Sequence, residues 1–133
     1  MNVQPPYNHI LLLDDTDVDL FISKKIFEAA NFARDIQTFQ SGNTAIQDLI
    51  TKNKEGRSWP ELFFIDIRMP EMDGFEFIKM VTDILPENNR SKFILITAEL
   101  SDDIKRTAGK NKNVFKILRK PFSIEDLDSL LAE

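Results

Sequence analysis

The sequence contains no cysteine, which excludes disulfide bonds, thiolate metal ligands and cysteine nucleophiles and agrees with a reducing compartment. No apolar stretch approaches the roughly 18 to 20 residues that span a bilayer, and residues 1–7 lack the basic and apolar segments of a secretory signal. With 6 prolines and 4 glycines, the chain is also unlike disordered or fibrous proteins. These absences predict a globular, cytoplasmic protein without a membrane-bound part.

The charge balance is acidic but uneven. The chain has 22 acidic and 17 basic residues, so it lacks the excess of Lys and Arg that indiscriminate nucleic-acid binding requires. Between Ile104 and Ile124 no acidic residue occurs. The basic residues of this stretch are Lys105, Arg106, Lys110, Lys112, Lys116, Arg119 and Lys120. We therefore expect one locally positive surface and no nucleic-acid partner.

Five short apolar runs are spread over the 133 residues, a length that fits one domain. They are residues 10–13, 36–39, 62–65, 93–96 and 114–118. Three of them are nearly continuous in apolar residues, which is typical of parallel strands that are covered on both faces. The runs therefore predict five strands of a parallel sheet.

Segments with a helical period lie between the strands. Apolar residues recur at spacings of three and four at Val18, Phe21, Ile22, Ile26 and Ala29, at Ala45, Ile46, Leu49 and Ile50, and at Phe75, Ile78, Val81 and Leu85. The fourth helix is the weakest, because Gly109 interrupts it. The alternation of strands and helices predicts an α/β fold, with a doubly wound parallel sheet of five strands and five helices on both faces.

Chemically active side chains follow four of the predicted strands. They are Asp14 and Asp15 after the first, Asp66 after the third, Thr97 after the fourth and Lys120 after the fifth. Ligands bind outside the carboxyl ends of the strands in such sheets, so these residues are expected to converge. Carboxylates at close range either raise a pKa or bind a cation. Mg²⁺ prefers oxygen ligands and suits this set, and Mn²⁺ could replace it.

A calcium-binding EF-hand loop is a competing interpretation of residues 15–26. It fails because Leu20 stands where that loop requires glycine, and Ile26 stands where it requires glutamate. A merely solvated, acidic helix start stays open as an alternative for the acid pair that ends the first strand. For Asp17 and Asp19 it is the preferred interpretation.

Four stretches together resemble the receiver domain of bacterial two-component response regulators. They are LLLDD at residues 11–15, FIDIRMPEMDG at 64–74, ITA at 96–98 and KPF at 120–122. The second stretch is the most specific, and the resemblance covers essentially the whole chain. It implies a flavodoxin-like sheet with the strand order 2-1-3-4-5, a receiver domain over residues 9–133 and a disordered or extended tail over residues 1–8.

The resemblance also implies a role for each acidic residue. Asp66 would be the phosphoacceptor, because a carboxylate can act as a nucleophile that stores a phosphoryl group. Asp14, Asp15 and the backbone carbonyl of Arg68 would complete a Mg²⁺ site with it. Positioning and charge neutralisation would supply most of the catalysis.

Phosphoryl binding and switching are implied for the last two strands. Thr97 and Lys120 would contact the phosphoryl oxygens, and Pro121 would follow Lys120 in a cis peptide bond. Many family members carry an aromatic switch residue three positions before the lysine, where this sequence has Ile117. Phe115 would point to the same face of its strand. Switching is thus assigned to Thr97 with Ile117 or Phe115.

Two charged residues are expected to flank the mouth of the site. Arg68 lies two positions after Asp66, and Glu99 lies two positions after Thr97. Their side chains could pair across the site and restrict the attacking water, although exposed ion pairs are often worth under ~1 kcal/mol.

These roles predict a stand-alone response regulator, a phosphoprotein that signals by protein contact, since no residues are left over for an output domain. It would accept its phosphoryl group from a sensor histidine kinase or phosphotransfer protein, because His9 lacks the surroundings of a phosphohistidine helix. It would catalyse only its own phosphorylation and dephosphorylation. A downstream protein would bind residues 101–133, which comprise the fourth helix, fifth strand and fifth helix. The protein itself would be a monomer or a weak dimer.

Functions from other classes remain as alternatives. A pseudo-receiver would bind partners without phosphorylation, but Asp66, Thr97 and Lys120 speak against it. An aspartate-nucleophile phosphatase would need an acid where Arg68 stands. A flavodoxin would need a phosphate-binding loop of Ser, Thr and Gly in place of the acid pair.

Overall fold

The strands of the computed structural model, which describes residues 3–132, form one parallel sheet in the order β2-β1-β3-β4-β5. They are β1 (Tyr7–Leu13), β2 (Ala33–Phe39), β3 (Leu62–Asp66), β4 (Lys92–Thr97) and β5 (Val114–Arg119). Every neighbouring pair is parallel, so the predicted fold and strand order are confirmed. No helix in this part of the chain combines the length and apolar character that crossing a membrane requires.

Five helices alternate with the strands. They are α1 (Asp17–Ala29), α2 (Gly42–Glu55), α3 (Gly74–Thr82), α4 (Asp102–Lys110) and α5 (Ile124–Leu131). Capping boxes at Asp73 and Ser123 begin α3 and α5 and satisfy backbone N–H groups of their first turns. The expectation that Gly109 interrupts α4 is wrong, since the helix continues to Lys110. A glycine this close to the helix end costs too little to stop it.

Each face of the sheet has its own apolar core. Leu11 and Leu13 of β1 pack with residues of α2, α3 and α4, whereas Ile10 and Leu12 pack with residues of α1 and α5. Successive side chains of a strand point to opposite faces, so a strand with a core on each side needs apolar residues throughout. This double burial accounts for the continuous apolar runs.

Helix α1 does not bury the apolar stripe that its sequence period predicts. Val18, Phe21 and Ile22 are 68%, 64% and 41% exposed. The buried residues of this helix are instead Ser23 and Phe27. The predicted face is therefore wrong for the first half of α1, which presents apolar side chains to solvent.

Phe27 sets the orientation of α1. Its ring centroid lies 4.8 Å from that of Phe64, 5.3 Å from that of Phe122 and 5.7 Å from that of Phe32. Large aromatic side chains contribute much of the burial in a core. The helix turns Phe27 into this cluster, and the competing stripe that includes Phe21 is left outside.

Strand β1 begins at Tyr7, earlier than the predicted domain start. Tyr7 pairs with Ala33 of β2, and its ring lies 5.1 Å from that of Phe32. Residues 7 and 8 of the predicted tail are thus extended and part of the sheet. The prediction for residues 1 and 2 lies outside the described residues, as does that for Glu133.

A bulge in β5 alters which side chains share a face. Phe93 of β4 pairs with Val114, but the next residue of β4 pairs with Lys116, so the register shifts at this point. Phe115 consequently packs with the core of α1 and α5, whereas Ile117 packs with the core of α2, α3 and α4. The expectation that these two side chains share a face is wrong, because an extra residue breaks the two-residue period.

The start of α3 packs tightly against the end of β3. The Gly74 N–H donates to the carbonyl oxygen of Ile67 at 2.9 Å. A Cβ atom at residue 74 would lie 2.8 Å from the carbonyl oxygen of Asp66 and 3.0 Å from the Cα atom of Ile67. Both are backbone atoms and cannot rotate away, so this position requires glycine.

We expect Gly74→Ala to lower the free energy of unfolding by roughly 1–3 kcal/mol, because the added methyl group overpacks the site. Gly109→Ala is the matched control, since a Cβ there meets nothing within 4 Å. It should leave stability unchanged or raise it by up to about 1 kcal/mol. Urea unfolding of the two variants checks this. If Gly74→Ala were as stable as Gly109→Ala, the β3 backbone would be able to move aside without cost.

Candidate functional site

The carboxyl edge of the sheet brings the predicted polar residues together. Asp14 and Asp15 follow β1, Asp66 ends β3, Thr97 ends β4 and Lys120 follows β5. The Lys120 N–H donates to the carbonyl oxygen of Thr97 at 2.8 Å, which fixes the lysine backbone beside the end of β4. The predicted cis peptide bond between Lys120 and the following proline is present.

Three carboxylates form the centre of this edge. Asp14, Asp15 and Asp66 each offer an oxygen atom, and these atoms all lie within 4.8 Å of one another. Asp14 and Asp66 are buried, and Asp15 is half-buried. Hard divalent cations prefer oxygen ligands, so the donor set fits Mg²⁺ or Mn²⁺.

Lys120 contacts two of these carboxylates and a third one outside the cluster. Its Nζ atom donates to Oδ2 of Asp14 at 2.8 Å, to Oδ2 of Asp19 at 2.8 Å and to Oδ2 of Asp66 at 3.3 Å. Burial opposes the charged form of Lys120, but its carboxylate partners outweigh this effect and raise the pKa of the ammonium group. The lysine therefore stays charged and offsets part of the negative charge.

Asp66 has an unfavourable environment for a charge. Burial and, to a lesser extent, the charge of Asp14 raise the pKa of Asp66 to about 6, against the opposing effects of Lys120 and the Arg68 N–H. That N–H lies 3.3 Å from Oδ1 of Asp66. A second cation at the cluster would favour the charged carboxylate, because it would offset the repulsion that Lys120 leaves.

Thr97 is buried, and its hydroxyl group forms a local turn with Glu99. The hydroxyl oxygen Oγ1 donates to the Glu99 carbonyl oxygen at 3.2 Å and accepts from the Glu99 N–H at 3.2 Å. The hydroxyl is thus held at the end of β4, the strand that pairs with β3 and its terminal residue Asp66. To bind another acceptor, it must release the carbonyl of Glu99.

The charged pair expected at the mouth of the site is present. The Nη2 atom of Arg68 lies 3.7 Å from Oε2 of Glu99, and the two side chains are 67% and 75% exposed. A pair this exposed contributes little to stability. The role predicted for the Arg68 carbonyl oxygen stays a prediction, as do the switching roles of Thr97 and Ile117.

Asp19 is the residue that the sequence interpretation missed. The sequence pattern favours a solvated face for Asp19, as for Asp17, yet the Asp19 carboxylate binds Lys120, and this hydrogen bond lowers the pKa of Asp19. Asp17 instead accepts a hydrogen bond from Gln40. The only local signal is that Asp19 lies in the first turn of a helix that starts beside the acid pair. Its partner is 101 residues away in the sequence.

The first half of α1 carries an exposed apolar surface. It consists of the exposed side chains of Val18, Phe21 and Ile22 on α1. Beside it, a pocket of about 280 Å³ is lined by Ile22, Pro121 and Lys120, among others. Exposed apolar patches of this kind mark interaction sites in many proteins.

Comparisons with known proteins agree with this arrangement. The family model of the response regulator receiver domain matches residues 10–132. Among curated proteins, the chain is 28% identical over 124 residues to the probable methanogenesis regulatory protein FilR2 of Methanothrix harundinacea, covering 93% of this chain and 79% of that one. It is 29% identical to sporulation initiation phosphotransferase F of Bacillus subtilis, covering 89% of this chain and 86% of that one.

A solved structure shows the same architecture. The two-component response regulator from Cytophaga hutchinsonii superimposes with a TM-score of 0.85 at 30% sequence identity, covering 94% of each chain. A family model that spans nearly the whole chain and a shared sheet topology lead to one assignment. The chain belongs to the response regulator receiver domain family of two-component signalling.

Proposed function

We propose that this receiver domain accepts a phosphoryl group onto Asp66 in a Mg²⁺-dependent reaction and signals through protein contacts that depend on phosphorylation. The observation that carries the proposal is the cluster of Asp14, Asp15 and Asp66, two of them buried, beside the Lys120 ammonium group. The name of the Bacillus subtilis relative, a phosphotransferase, supports phosphoryl transfer. The pseudo-receiver alternative has no specific observation in its favour.

Each residue of the cluster has a distinct task in this proposal. Asp14, Asp15 and Asp66, with the carbonyl oxygen of Arg68, would hold the Mg²⁺ ion, which supplies charge neutralisation when bound. An Oδ atom of Asp66 attacks the donor phosphorus, and the bond from phosphorus to the donor breaks with its electron pair on the donor. Lys120 then faces a phosphoryl oxygen and offsets its charge.

The phosphoryl donor is proposed to be a sensor histidine kinase or a phosphotransfer protein. The exposed side chains of Val18, Phe21 and Ile22 support a protein donor, because none of them packs in the core and Ile22 borders the pocket beside Lys120. A donor that covers this surface would bring its phosphoryl group to the edge where Lys120 lies. Its apolar contacts would supply binding energy that a small donor lacks.

Signal output is proposed to begin at Thr97. Its hydroxyl would leave the carbonyl oxygen of Glu99 and donate to a phosphoryl oxygen, which moves the end of β4 toward the site. Ile117 packs in the core that also includes Ile104 and Ala108 of α4, so a shift there reaches that helix. Because Ala108 is the one buried residue of α4, the helix can move at little cost.

Three features remain predictions: the stand-alone organisation, the monomeric or weakly dimeric state and the cytoplasmic location.

The charged pair of Arg68 and Glu99 is proposed to restrict the water that would hydrolyse the phosphorylated form. Its position two residues after Asp66 and Thr97 supports that task, and its exposure limits the size of the effect.

Incubation with Mg²⁺ and acetyl phosphate should add one phosphoryl group to the protein, as measured by intact mass. Asp66→Asn should gain no mass, because the nucleophile is absent, and EDTA should abolish the gain in the unmodified protein. Asp83→Asn removes an exposed carboxylate at the end of α3 and should be labelled normally. Labelling of Asp66→Asn, or labelling that EDTA leaves undiminished, would contradict the proposed chemistry.

Mg²⁺ should raise the melting temperature, because a ligand that binds only the folded state stabilises that state. At a concentration of a hundred times its Kd, such a ligand raises the free energy of unfolding by about 2.7 kcal/mol. Asp15→Asn should be more stable than the unmodified protein without metal and should respond little to Mg²⁺. The Asp15 carboxylate has no hydrogen bond or ion pair within residues 3–132, so losing its charge removes only repulsion.

Asp17→Asn is the control for this thermal measurement, since it removes a charge from the exposed start of the same helix. It should keep the full Mg²⁺ response. If Asp15→Asn responds to Mg²⁺ as strongly as this control, the ion binds elsewhere.

Beryllofluoride with Mg²⁺, a mimic of the phosphoryl group, should change hydrogen exchange more between Thr97 and Arg119 than in α2, residues 42–55. The first segment contains the end of β4, the weakly buried α4 and β5, whereas α2 buries five residues and serves as the internal comparison. Hydrogen exchange measured by mass spectrometry checks this. Equal or smaller changes in the first segment would place the output surface elsewhere.

A further inference from the structure

Lys120 contacts a carboxylate that the proposed chemistry does not use. Its Nζ atom is as close to Asp19, at 2.8 Å, as to Asp14, and it is closer to both than to Asp66. Asp19 stands on α1, outside the cluster of carboxylates that can share a cation. An ammonium group has three N–H donors, so the three carboxylates occupy all of them.

We propose that Asp19 competes with the phosphoryl group for Lys120 and so weakens the phosphorylated state of the protein. The inference rests on the proposed function, because it assumes that a phosphoryl group bound at Asp66 needs one N–H donor of Lys120. Asp19 is then a positioning residue that acts through Lys120 and does not itself touch the phosphoryl group.

The surroundings of the three carboxylates decide which one releases the lysine. Asp14 is fully buried, and its other oxygen, Oδ1, accepts from the Thr16 N–H at 3.1 Å, so it cannot turn away. Asp66 must stay, since it carries the phosphoryl group. The Asp19 side chain is 39% exposed and can exchange Lys120 for water. The phosphoryl group therefore displaces Asp19.

Charge acts in the same direction as this competition. The lysine ammonium offsets the negative charge of the bound phosphoryl group, and a nearby Asp19 carboxylate reduces that benefit. Replacing Asp19 by the neutral, equally sized asparagine removes the ionic competitor and one repulsive charge at once. Tighter binding of an anionic phosphoryl mimic is the expected result.

The substitution leaves the start of α1 intact. Thr16 caps the helix by accepting a hydrogen bond at Oγ1 from the backbone N–H of residue 19, at 3.3 Å. Asparagine retains that N–H. A change in ligand affinity can therefore be assigned to the side chain of residue 19 and its contact with Lys120.

Calorimetric titration of beryllofluoride in saturating Mg²⁺ tests the proposal. Asp19→Asn should bind the mimic about three- to tenfold more tightly than the unmodified protein, the size expected for one partly solvated charge at this range. Asp19→Ala should do the same. Asp17→Asn removes an equal charge from the same helix turn, but the Asp17 carboxylate binds Gln40. The affinity of this variant for the mimic should therefore change less than twofold.

The sign of the change separates competition from other roles. Unchanged or weaker binding of the mimic by Asp19→Asn would overturn the proposal. If the Asp19 carboxylate merely orients Lys120 or supports the fold, its removal should lower the affinity of the protein for the mimic or leave it unchanged. An equal gain in Asp17→Asn would also overturn it, by assigning the effect to net charge. If the unmodified protein binds no mimic and Asp66 is not labelled by acetyl phosphate, the proposed function itself fails, and this inference fails with it.

Discussion

Repulsion among buried carboxylates is the constraint on which this structure depends. Asp14 and Asp66 are buried at the carboxyl edge of the sheet, where a charge is costly unless it is paired. Lys120 is the cation that pairs with both, and it is shared with Asp19 as well. One ammonium group cannot offset four carboxylates. The remaining negative charge is what a divalent ion bound at this edge would offset.

The rigid part of the molecule holds these charges in place. The parallel strands end at one edge, where backbone N–H groups just after β3 and β5 donate to carbonyl oxygens of β4, from Ile67 to Ile96 at 3.0 Å and from Lys120 to Thr97 at 2.8 Å. Gly74 allows α3 to begin against the backbone of Asp66. The core is densely packed, so the carboxylates cannot move apart to reduce their repulsion. Part of their negative charge is instead offset by the ammonium group that contacts them.

The less buried parts surround this rigid centre. The first half of α1 exposes apolar side chains and carries Asp19, and α4 has Ala108 as its one buried residue. These elements can shift or be covered by a partner at little cost to the core. In the proposed function, donor binding, competition for Lys120 and signal output would involve these peripheral elements, whereas the phosphoryl group would be held at the rigid centre.

Local patterns in the sequence predict the five strands, the doubly wound fold and the meeting of Asp14, Asp66, Thr97 and Lys120 at one edge. They can do so because apolar runs and the residues that directly follow them are local features. The other features depend on tertiary packing. The contact of Asp19 with Lys120 joins residues far apart in the sequence, the face of α1 depends on an aromatic cluster drawn from several elements, and the bulge at Phe115 depends on pairing with β4. Such choices follow from the best burial for the whole molecule, which no local period contains.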